Sequence, residues 1–175
     1  MDLTLRWISA AALGAELEND REKLARAIDA TVSEWPPEAG EWDIKAVRYF
    51  HELINDASFE PGWAAAYVIL DGRLVASGGF VGPPDGQGEV EIGFSVCRSE
   101  RRKGVATAVV ARLCSVAANR GCVSVQARTS TQNAGALATL RSNAFSPAIP
   151  WTEVLAATPT LPGNGAPILL RLRLQ

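Results

Sequence analysis

The chain has 175 residues, a length that predicts a single domain over residues 1–175. Hydrophobic residues make up 47% of it and charged residues 21%, which excludes the polar, highly charged composition of a disordered chain. The net charge is only −2, so no nucleic-acid partner is expected, because a general nucleic-acid binder needs a strong basic excess.

Cysteine content and apolar runs bear on the cellular location. Cys97, Cys114 and Cys122 are odd in number and form no CxxC pair, so neither a disulfide scaffold nor a zinc site is expected. No apolar run reaches the roughly 18 residues that span a bilayer, and the first residues lack the pattern of a secretory signal. We therefore expect a cytoplasmic protein with no metal and no membrane partner.

Charge is distributed unevenly along the chain. The residues before Glu89 include 7 basic and 15 acidic ones, whereas the remainder includes 10 basic and 4 acidic ones. This asymmetry suits a site for two substrates, with an anionic cofactor on the basic part and a cationic acceptor near the acidic part.

The first third of the sequence predicts one strand and two helices. Apolar and polar residues alternate over residues 3–8, which is typical of a half-buried strand. Apolar residues at three- and four-residue spacing predict one amphipathic helix over residues 13–32. A second helix is predicted over residues 43–54, with Asp43 as its N-cap. This helix carries the only histidine, His51, for which packing is favoured over catalysis.

The middle of the sequence predicts three strands. Residues 64–70 and 74–81 are strand-like, and Asp71-Gly72 between them is a hairpin-turn signal. Residues 89–96 then alternate between apolar side chains and polar or small ones. The period of two places Glu89 and Glu91 on the same face of this strand.

The last part of the sequence predicts two helices and two strands. A helix opens at Gly104 and stops at Gly121, and a strand follows over residues 122–128. A short helix over residues 133–142 and a strand over residues 168–174 complete the order. The elements predict a mixed α/β fold, with an antiparallel meander followed by a strand-helix-strand-helix unit.

Residues 101–106, Arg-Arg-Lys-Gly-Val-Ala, form the motif that points to chemistry. They lie between a strand and a helix, where backbone N–H groups and the helix dipole hold phosphate groups. Arg101 and Lys103 add positive charge. Gly104 lets the backbone close on the phosphate, and Ala106 is small enough not to obstruct the first helical turn.

In this neighbourhood, over about residues 64–145, the sequence resembles the GNAT acetyltransferase superfamily, and in particular its group that acts on N-termini of ribosomal proteins. Arg101, Gly104 and Ala106 match the pyrophosphate signature of that superfamily. Residues 91–96 look like its fourth strand, whose backbone binds pantetheine and the acetyl carbonyl. Further matches fall in the helix that follows: Asn133, Ala136, Leu140 and Phe145.

The resemblance implies a fold and a cofactor site. The expected fold is a twisted, mainly antiparallel sheet of six to seven strands, flanked by helices and splayed between strands 4 and 5. The expected co-substrate is acetyl-CoA. The residues expected to bind it are Phe94, Val96, Arg101, Arg102, Lys103, Gly104, Val105, Ala106 and Asn133.

Four positions depart from the family pattern. Arg102 replaces a frequent glycine, Arg98 stands where proline is common, and Ala144 replaces the glycine of a Gly-Phe pair. Leu140 occupies the position where many relatives carry a tyrosine proposed to protonate the departing thiolate. This chain therefore cannot use that acid.

Glu91 is the predicted general base, acting directly or through water, and Glu89 on the same face is the second choice. The alternative for both is an ordinary solvated strand face. Ser95 shares that face, where it relays a proton or fills space. A backbone N–H near Ser95 or Val96 is expected to meet the negative charge that develops on the acetyl oxygen.

Two main hypotheses of function follow. The first is an N-acetyltransferase in which an amine attacks acetyl-CoA directly, and the second, favoured by Leu140, is an acyl-CoA-binding sensor module without transfer activity. A purely structural domain would leave the motif at 101–106 without a reason. The expected partners are a small-molecule amine or a peptide N-terminus, and a second copy of the chain in a homodimer. Aromatic residues that could wall an acceptor pocket are Trp35, Trp42 and Trp63.

Overall fold

The computed structural model describes residues 1–37, 42–57, 59–60, 62–148, 150, 152–153 and 167–174. Its strands form one seven-stranded sheet in the order β1-β2-β3-β4-β5-β7-β6. The strands are β1 (Thr4–Trp7), β2 (Ala65–Leu70), β3 (Arg73–Phe80), β4 (Glu89–Val96), β5 (Ser124–Ser130), β6 (Ser146–Pro147) and β7 (Pro167–Arg173). The helices are α1 (Ala10–Leu17), α2 (Arg21–Ile28), α3 (Ile44–Leu53), α4 (Val105–Asn119) and α5 (Ala134–Ser142), and a 3-10 turn, Arg98–Glu100, precedes α4.

The centre of the sheet is splayed, as the resemblance implied. All neighbouring strands are antiparallel except β4 and β5, which run parallel. Their pairing extends from Glu89, opposite Ser124, to Ile92, opposite Ala127. Both strands continue beyond these residues without pairing to each other. A cleft therefore opens between the second halves of β4 and β5.

Helices cover both faces of the sheet. The helix α4 packs on one face, where Val90, Ile92, Val109 and Leu113 belong to one core cluster. Residues of α1, α2 and α3 form a second cluster with Tyr67 and other residues of β2 and β3. Because side chains alternate along β4, Val90 and Ile92 face α4, and Glu89, Glu91, Gly93 and Ser95 face the side of the three N-terminal helices.

The single helix predicted over residues 13–32 is wrong, because two helices occupy this region. The chain breaks at Asn19, which takes a left-handed φ of 55°. Asp20 then begins α2 by accepting a hydrogen bond from the backbone N–H of Lys23 at 2.8 Å. The apolar spacing continues through the break because both helices bury a face in the same core cluster.

The second predicted helix is confirmed as α3, including its N-cap. Asp43 Oδ1 accepts from the N–H groups of Lys45 and Ala46 at 2.8 and 2.9 Å. Val47 is buried as expected, but Ile44 is 49% exposed although the spacing had placed it on the apolar face. Ile44 is the first residue of the helix, where the chain has only begun to approach the core.

The remaining predicted elements are confirmed with small changes of boundary. The hairpin between β2 and β3 turns at Asp71 and Gly72, whose φ values of 51° and 72° fit a two-residue turn of the primed type. The pattern missed β6, which is only two residues long. Within the described ranges, no helix is long and apolar enough to cross a membrane.

Ala144, which departs from the family pattern, lies in a strained backbone conformation. Its φ is 62°, in the left-handed region, which costs an L-residue roughly 1–2 kcal/mol and costs glycine almost nothing. We expect Ala144→Gly to raise the free energy of unfolding by about 0.5–1 kcal/mol after the greater freedom of glycine in the unfolded chain is included. Chemical denaturation measures this change. Ala138→Gly, in the exposed middle of α5, is the control and should lower stability by about 1 kcal/mol.

Candidate active site

The turn before α4 has the backbone geometry of a phosphate site. Gly104 is the N-cap of this 15-residue helix and has a φ of 82°. Because an α-helix leaves its first N–H groups without intrahelical partners, those of Val105, Ala106 and Thr107 point out of the helix end. A Cβ placed on Gly104 would meet no atom within 4 Å. The positive φ favours glycine, and the open space beside Gly104 is free for a ligand.

Two of the three basic side chains of the turn have partners within the protein. Arg101 Nε donates to the carbonyl oxygen of Val96 at 3.1 Å, which ties the turn to the end of β4. Lys103 Nζ lies 3.2 Å from Glu100 Oε2. Arg102 is exposed and has a φ of 64°, so its backbone keeps the conformation that the frequent glycine of the family allows. The three cations lie in the turn directly before Gly104 and α4.

The backbone of β4 presents polar groups to the cleft. Val81 N–H donates to Glu91 C=O and Cys97 N–H donates to Val75 C=O, so the odd-numbered residues of β4 bond to β3. In an antiparallel pair the residues between them direct their N–H and C=O groups the other way. Phe94 and Val96 therefore face the side on which β5 has separated. Two backbone N–H groups were predicted as oxyanion donors. That of Val96 points into the cleft, whereas that of Ser95 points towards β3.

Glu91, the predicted base, lies where β4 and β5 begin to separate. Its side chain is 23% exposed. Arg128 Nε donates to Glu91 Oε2 at 2.9 Å, and Gln126 Nε2 donates to the same oxygen at 3.4 Å. Among the described residues both contacts fall on Oε2, which leaves Oε1 for a water molecule or an acceptor. Arg128 thus holds the carboxylate at the mouth of the cleft.

Glu89, the second choice for the base, is held more tightly. Arg171 of β7 donates from Nη2 to Glu89 Oε1 at 2.9 Å, and its Nε lies 2.5 Å from Glu89 Oε2. Ser124 Oγ donates to Oε2 at 2.7 Å. Both carboxylate oxygens therefore accept hydrogen bonds that join β4 to β5 and β7, which favours a structural role for Glu89.

Ser95 and Asn133 differ in their surroundings. Ser95 is buried, in the same row across the sheet as Ser77 and Tyr67. Asn133 is exposed at the start of α5, where its Oδ1 accepts from the N–H of Ala136 at 3.0 Å. That contact makes Asn133 a helix cap and leaves its amide nitrogen as the group for a ligand.

Leu140 offers no proton to the cleft, since it is 1% exposed in the core under α4 and α5. The hydroxyl of Tyr67 is occupied as well, because it donates to Glu16 Oε1 at 2.5 Å. Burial, together with the charge of Glu16, raises the pKa of Tyr67 far above its usual value. Neither side chain is therefore placed to protonate a leaving thiolate.

Cys97, directly after β4, is a buried thiol that donates to the carbonyl oxygen of Glu34 at 2.9 Å. Burial, followed by the charge of Glu34, raises the pKa of Cys97 to about 11. Burial also raises the pKa of Cys114 to about 11 and that of Cys122 above its usual value. All three cysteines are thus protonated at neutral pH and are poor nucleophiles.

Two of the three tryptophans named as pocket walls line a common pocket. Trp35 and Trp42 border a pocket of about 260 Å³ between α1, α2 and α3. Both donate their indole N–H to Glu16 Oε2, at 2.8 and 3.0 Å. Trp63 lies elsewhere, with Arg120 stacked over its ring at 4.8 Å.

Sequence reasoning missed two buried or partly buried carboxylates, Glu16 and Glu100. Glu16 sits among the apolar positions of the first predicted helix, and an acid on an apolar face is a signal that could have identified it. Glu100 is 5% exposed. It stands in a run of four charged residues, so the sequence pattern offers no sign of its burial.

Comparisons with known proteins identify the family to which this chain belongs. The acetyltransferase (GNAT) family model matches residues 26–145. The Bacillus subtilis (strain 168) protein named Uncharacterized N-acetyltransferase YjdG is 30% identical over 146 residues, which cover 82% of this chain and 85% of the relative.

Solved structures share the fold. The ribosomal-protein-S18-alanine N-acetyltransferase from Escherichia coli aligns with a TM-score of 0.63 at 16% identity, over 98% of this chain and 94% of that one. The GNAT superfamily phosphinothricin acetyltransferase (Pat) from Sinorhizobium meliloti, solved in complex with AcCoA, aligns with a TM-score of 0.59 at 18% identity, over 99% and 89% of the two chains.

A sheet splayed between β4 and β5, with a glycine turn at the start of the next helix, defines a class of acyltransferase folds. This chain belongs to the acetyltransferase (GNAT) family. It is accordingly an acetyl-CoA-dependent acyltransferase.

Proposed function

We propose that this enzyme transfers the acetyl group of acetyl-CoA to a primary amine by direct attack, without a covalent enzyme intermediate. The observation that carries the proposal is the edge of β4 after Ile92, which pairs with no described strand. There the N–H and C=O of Phe94 and the N–H of Val96 face the cleft that ends at the Gly104 turn. An extended arm with amide groups fits such an edge, and its phosphates fit the helix end.

The turn at residues 101–106 would hold the cofactor's phosphates. The N–H groups of Val105 and Ala106 supply donors, and Arg101, Arg102 and Lys103 supply positive charge. The amide nitrogen of Asn133, at the start of α5 beyond β5, is proposed to bind the same cofactor from the other wall.

Glu91 is proposed as the general base. It lies three residues, or about 10 Å, from Phe94 along the strand, so we assign the proton transfer to a water molecule between the carboxylate and the amine. The neutral amine nitrogen then forms a bond to the acetyl carbon, and the carbon–sulfur bond breaks with its electrons on sulfur. The second proton that the nitrogen loses is taken up by the thiolate, which leaves as the CoA thiol. Val96 N–H is proposed to stabilise the oxyanion formed in between.

The chemistry of the leaving group accounts for a reaction without an acid at position 140, where this chain has Leu140. An alkyl ammonium has a pKa near 10.4 and a thiol near 8.5 in model compounds. The thiolate is therefore the weaker base and leaves more readily than the acceptor loses its proton. Removing the proton from the amine is the harder step, so a base is needed more than an acid.

Direct attack predicts that no cysteine carries the acetyl group. With a pKa of about 11, Cys97 is ionised in about one molecule in 10⁴ at pH 7. We expect Cys97→Ala to keep kcat within about threefold of the wild type, because the reaction does not pass through its thiol. Mass spectrometry after incubation with acetyl-CoA alone is the second measurement. An acetylated cysteine, or a large loss of kcat at unchanged stability, would contradict direct attack.

The acceptor is proposed to be a cationic amine, either a small molecule or a peptide N-terminus. Support comes from the excess of 15 acidic over 7 basic residues before Glu89, which includes the three helices beside the Glu91 face of the sheet. The relative from Escherichia coli is named for transfer to an alanine of a ribosomal protein. A cytoplasmic location and a homodimer stay predictions.

A panel of acceptors tests the proposed function. Acetyl-CoA is incubated with amino acids, polyamines, peptides with free N-termini and matched alcohols, and release of the CoA thiol is followed. We expect turnover with at least one amine class and none with alcohols. Binding of acetyl-CoA without turnover on any amine would favour the acyl-CoA sensor instead.

A further inference from the structure

The carboxylate of Glu100, beside the turn at residues 101–106, has no role in the function proposed above. Its side chain, in the 3-10 turn before α4, is only 7% exposed, which is unusual for an acid. Arg73 Nη1 lies 3.1 Å from Oε1, and Lys103 Nζ lies 3.2 Å from Oε2. Burial alone would raise the pKa of Glu100, but the hydrogen bonds from Lys103 and Arg73 outweigh burial and lower it. The group is therefore a buried anion between two cations.

Glu100 links the turn to the rigid part of the sheet. It closes the 3-10 turn by donating its N–H to the carbonyl oxygen of Cys97 at 3.0 Å. Arg73 is the first residue of β3, so its ion pair connects this turn to the sheet. Lys103 precedes Gly104, at the helix end that the proposed function assigns to phosphate. The pair with Glu100 restrains a lysine side chain that would otherwise sample many rotamers.

From this geometry we infer that Glu100 is a positioning residue for the cofactor, which holds the ammonium of Lys103 beside the start of α4 so that its remaining N–H groups meet a phosphate oxygen. The inference rests on the proposed function, since it needs CoA phosphates at this turn. An ammonium has three donors, and Glu100 takes one of them. Lys103 itself is half exposed, so the ammonium stays accessible to a ligand.

The direction in which CoA affinity changes when Glu100 loses its charge distinguishes positioning from simple electrostatic attraction. Removing the negative charge of Glu100 makes the turn more positive, which by itself would tighten binding of an anion. Loss of a positioning group acts the other way, because Lys103 must then be ordered when the ligand binds. Positioning therefore predicts weaker binding of CoA after the charge is removed.

The experiment compares two thioesters that differ in phosphate. Glu100→Gln is assayed with acetyl-CoA and with S-acetylpantetheine, which has no phosphate group. We expect the Kd of CoA and the KM of acetyl-CoA to rise roughly tenfold, with kcat at saturation unchanged, because one charge-assisted contact is lost. The kcat/KM for S-acetylpantetheine should stay at the wild-type value. Glu22→Gln, which removes an exposed acid paired with Arg26 on α2, is the matched control.

A double-mutant cycle tests whether Glu100 acts through Lys103. Lys103→Met should weaken CoA binding, and adding Glu100→Gln to it should cause no further loss, because the group to be positioned is gone. If Glu100→Gln does not fold, Glu100→Asp and Arg73→Gln, which change the length of the acid and one of its partners, should each weaken CoA binding in the same direction.

Three results would overturn the inference: tighter CoA binding by Glu100→Gln, an equal loss with both thioesters, or additive effects of the two substitutions. Wild-type protein that neither binds CoA nor uses acetyl-CoA is a different result. It would refute the proposed function itself, and it is seen before any variant is made.

Discussion

Glu91→Gln is expected to lower kcat by roughly 10²- to 10⁴-fold, the usual contribution of a general base. The amide keeps the shape of the side chain and still accepts the hydrogen bond from Arg128, but it cannot take a proton from the amine. The KM for acetyl-CoA should remain unchanged, because the groups assigned to the cofactor lie on the Phe94–Val96 backbone and on the turn at 101–106. Steady-state kinetics with the best amine of the acceptor panel gives both constants.

Glu89→Gln is the matched control, since it makes the same change two residues earlier on the same face of β4. Glu89 binds Arg171 and Ser124 and joins three strands, so this variant is expected to lower the melting temperature and to keep most of the wild-type kcat. If Glu89→Gln loses kcat and Glu91→Gln does not, the base has been assigned to the wrong glutamate. Full activity of both variants would mean that water alone or a group on the N-terminal helices takes the proton.

CoA is expected to stabilise the folded protein, because the turn at residues 101–106, which we propose holds its phosphates, is formed only in the native state. At a CoA concentration of about 100 times Kd the gain is about 2.7 kcal/mol. For a domain of this size the melting temperature rises by roughly 5–10 °C. Scanning calorimetry with and without CoA measures the shift.

Gly104→Asp is expected to abolish this shift. The new side chain occupies the open space beside Gly104 and places a negative charge at the helix end that we propose binds the phosphates. It also forces a residue with a side chain to a φ of 82°, which lowers the stability of the ligand-free protein.

Gly121→Asp supplies the control for that strain. Gly121 follows the other end of α4, has a φ of 80° and also has no atom within 4 Å of an added Cβ. This variant should lose comparable stability but keep the full CoA shift. An unchanged shift in Gly104→Asp, or no shift in the wild type, would remove the basis for placing the cofactor at this turn.

Several parts of the fold and site follow from local sequence. Alternation over residues 89–96 predicts β4 with its correct boundaries, and Asp43 predicts the start of α3. Gly104 and the cations before it predict the turn. These features depend on a side-chain period, a capping hydrogen bond or a permitted φ, each of which involves residues a few positions apart.

Other features depend on contacts between distant residues. The break at Asn19 interrupts an apolar spacing that continues on both sides of it, so periodicity alone predicts one helix where the fold has two. The cleft exists because β4 and β5 stop pairing after Ile92 and Ala127, which a pattern within either strand does not encode.

The sequence by itself thus determined most of the helices and strands, the glycine turn before α4, and the placement of two glutamates on one face of β4. Only the tertiary structure distinguished the roles of those glutamates, by placing Arg128 beside Glu91 and Arg171, 82 residues away, beside Glu89. It also buried Glu100 between Arg73 and Lys103. Lys103 is only three residues from Glu100, but Arg73, Arg128 and Arg171 are brought to their carboxylates by the order of the packed strands rather than by local spacing.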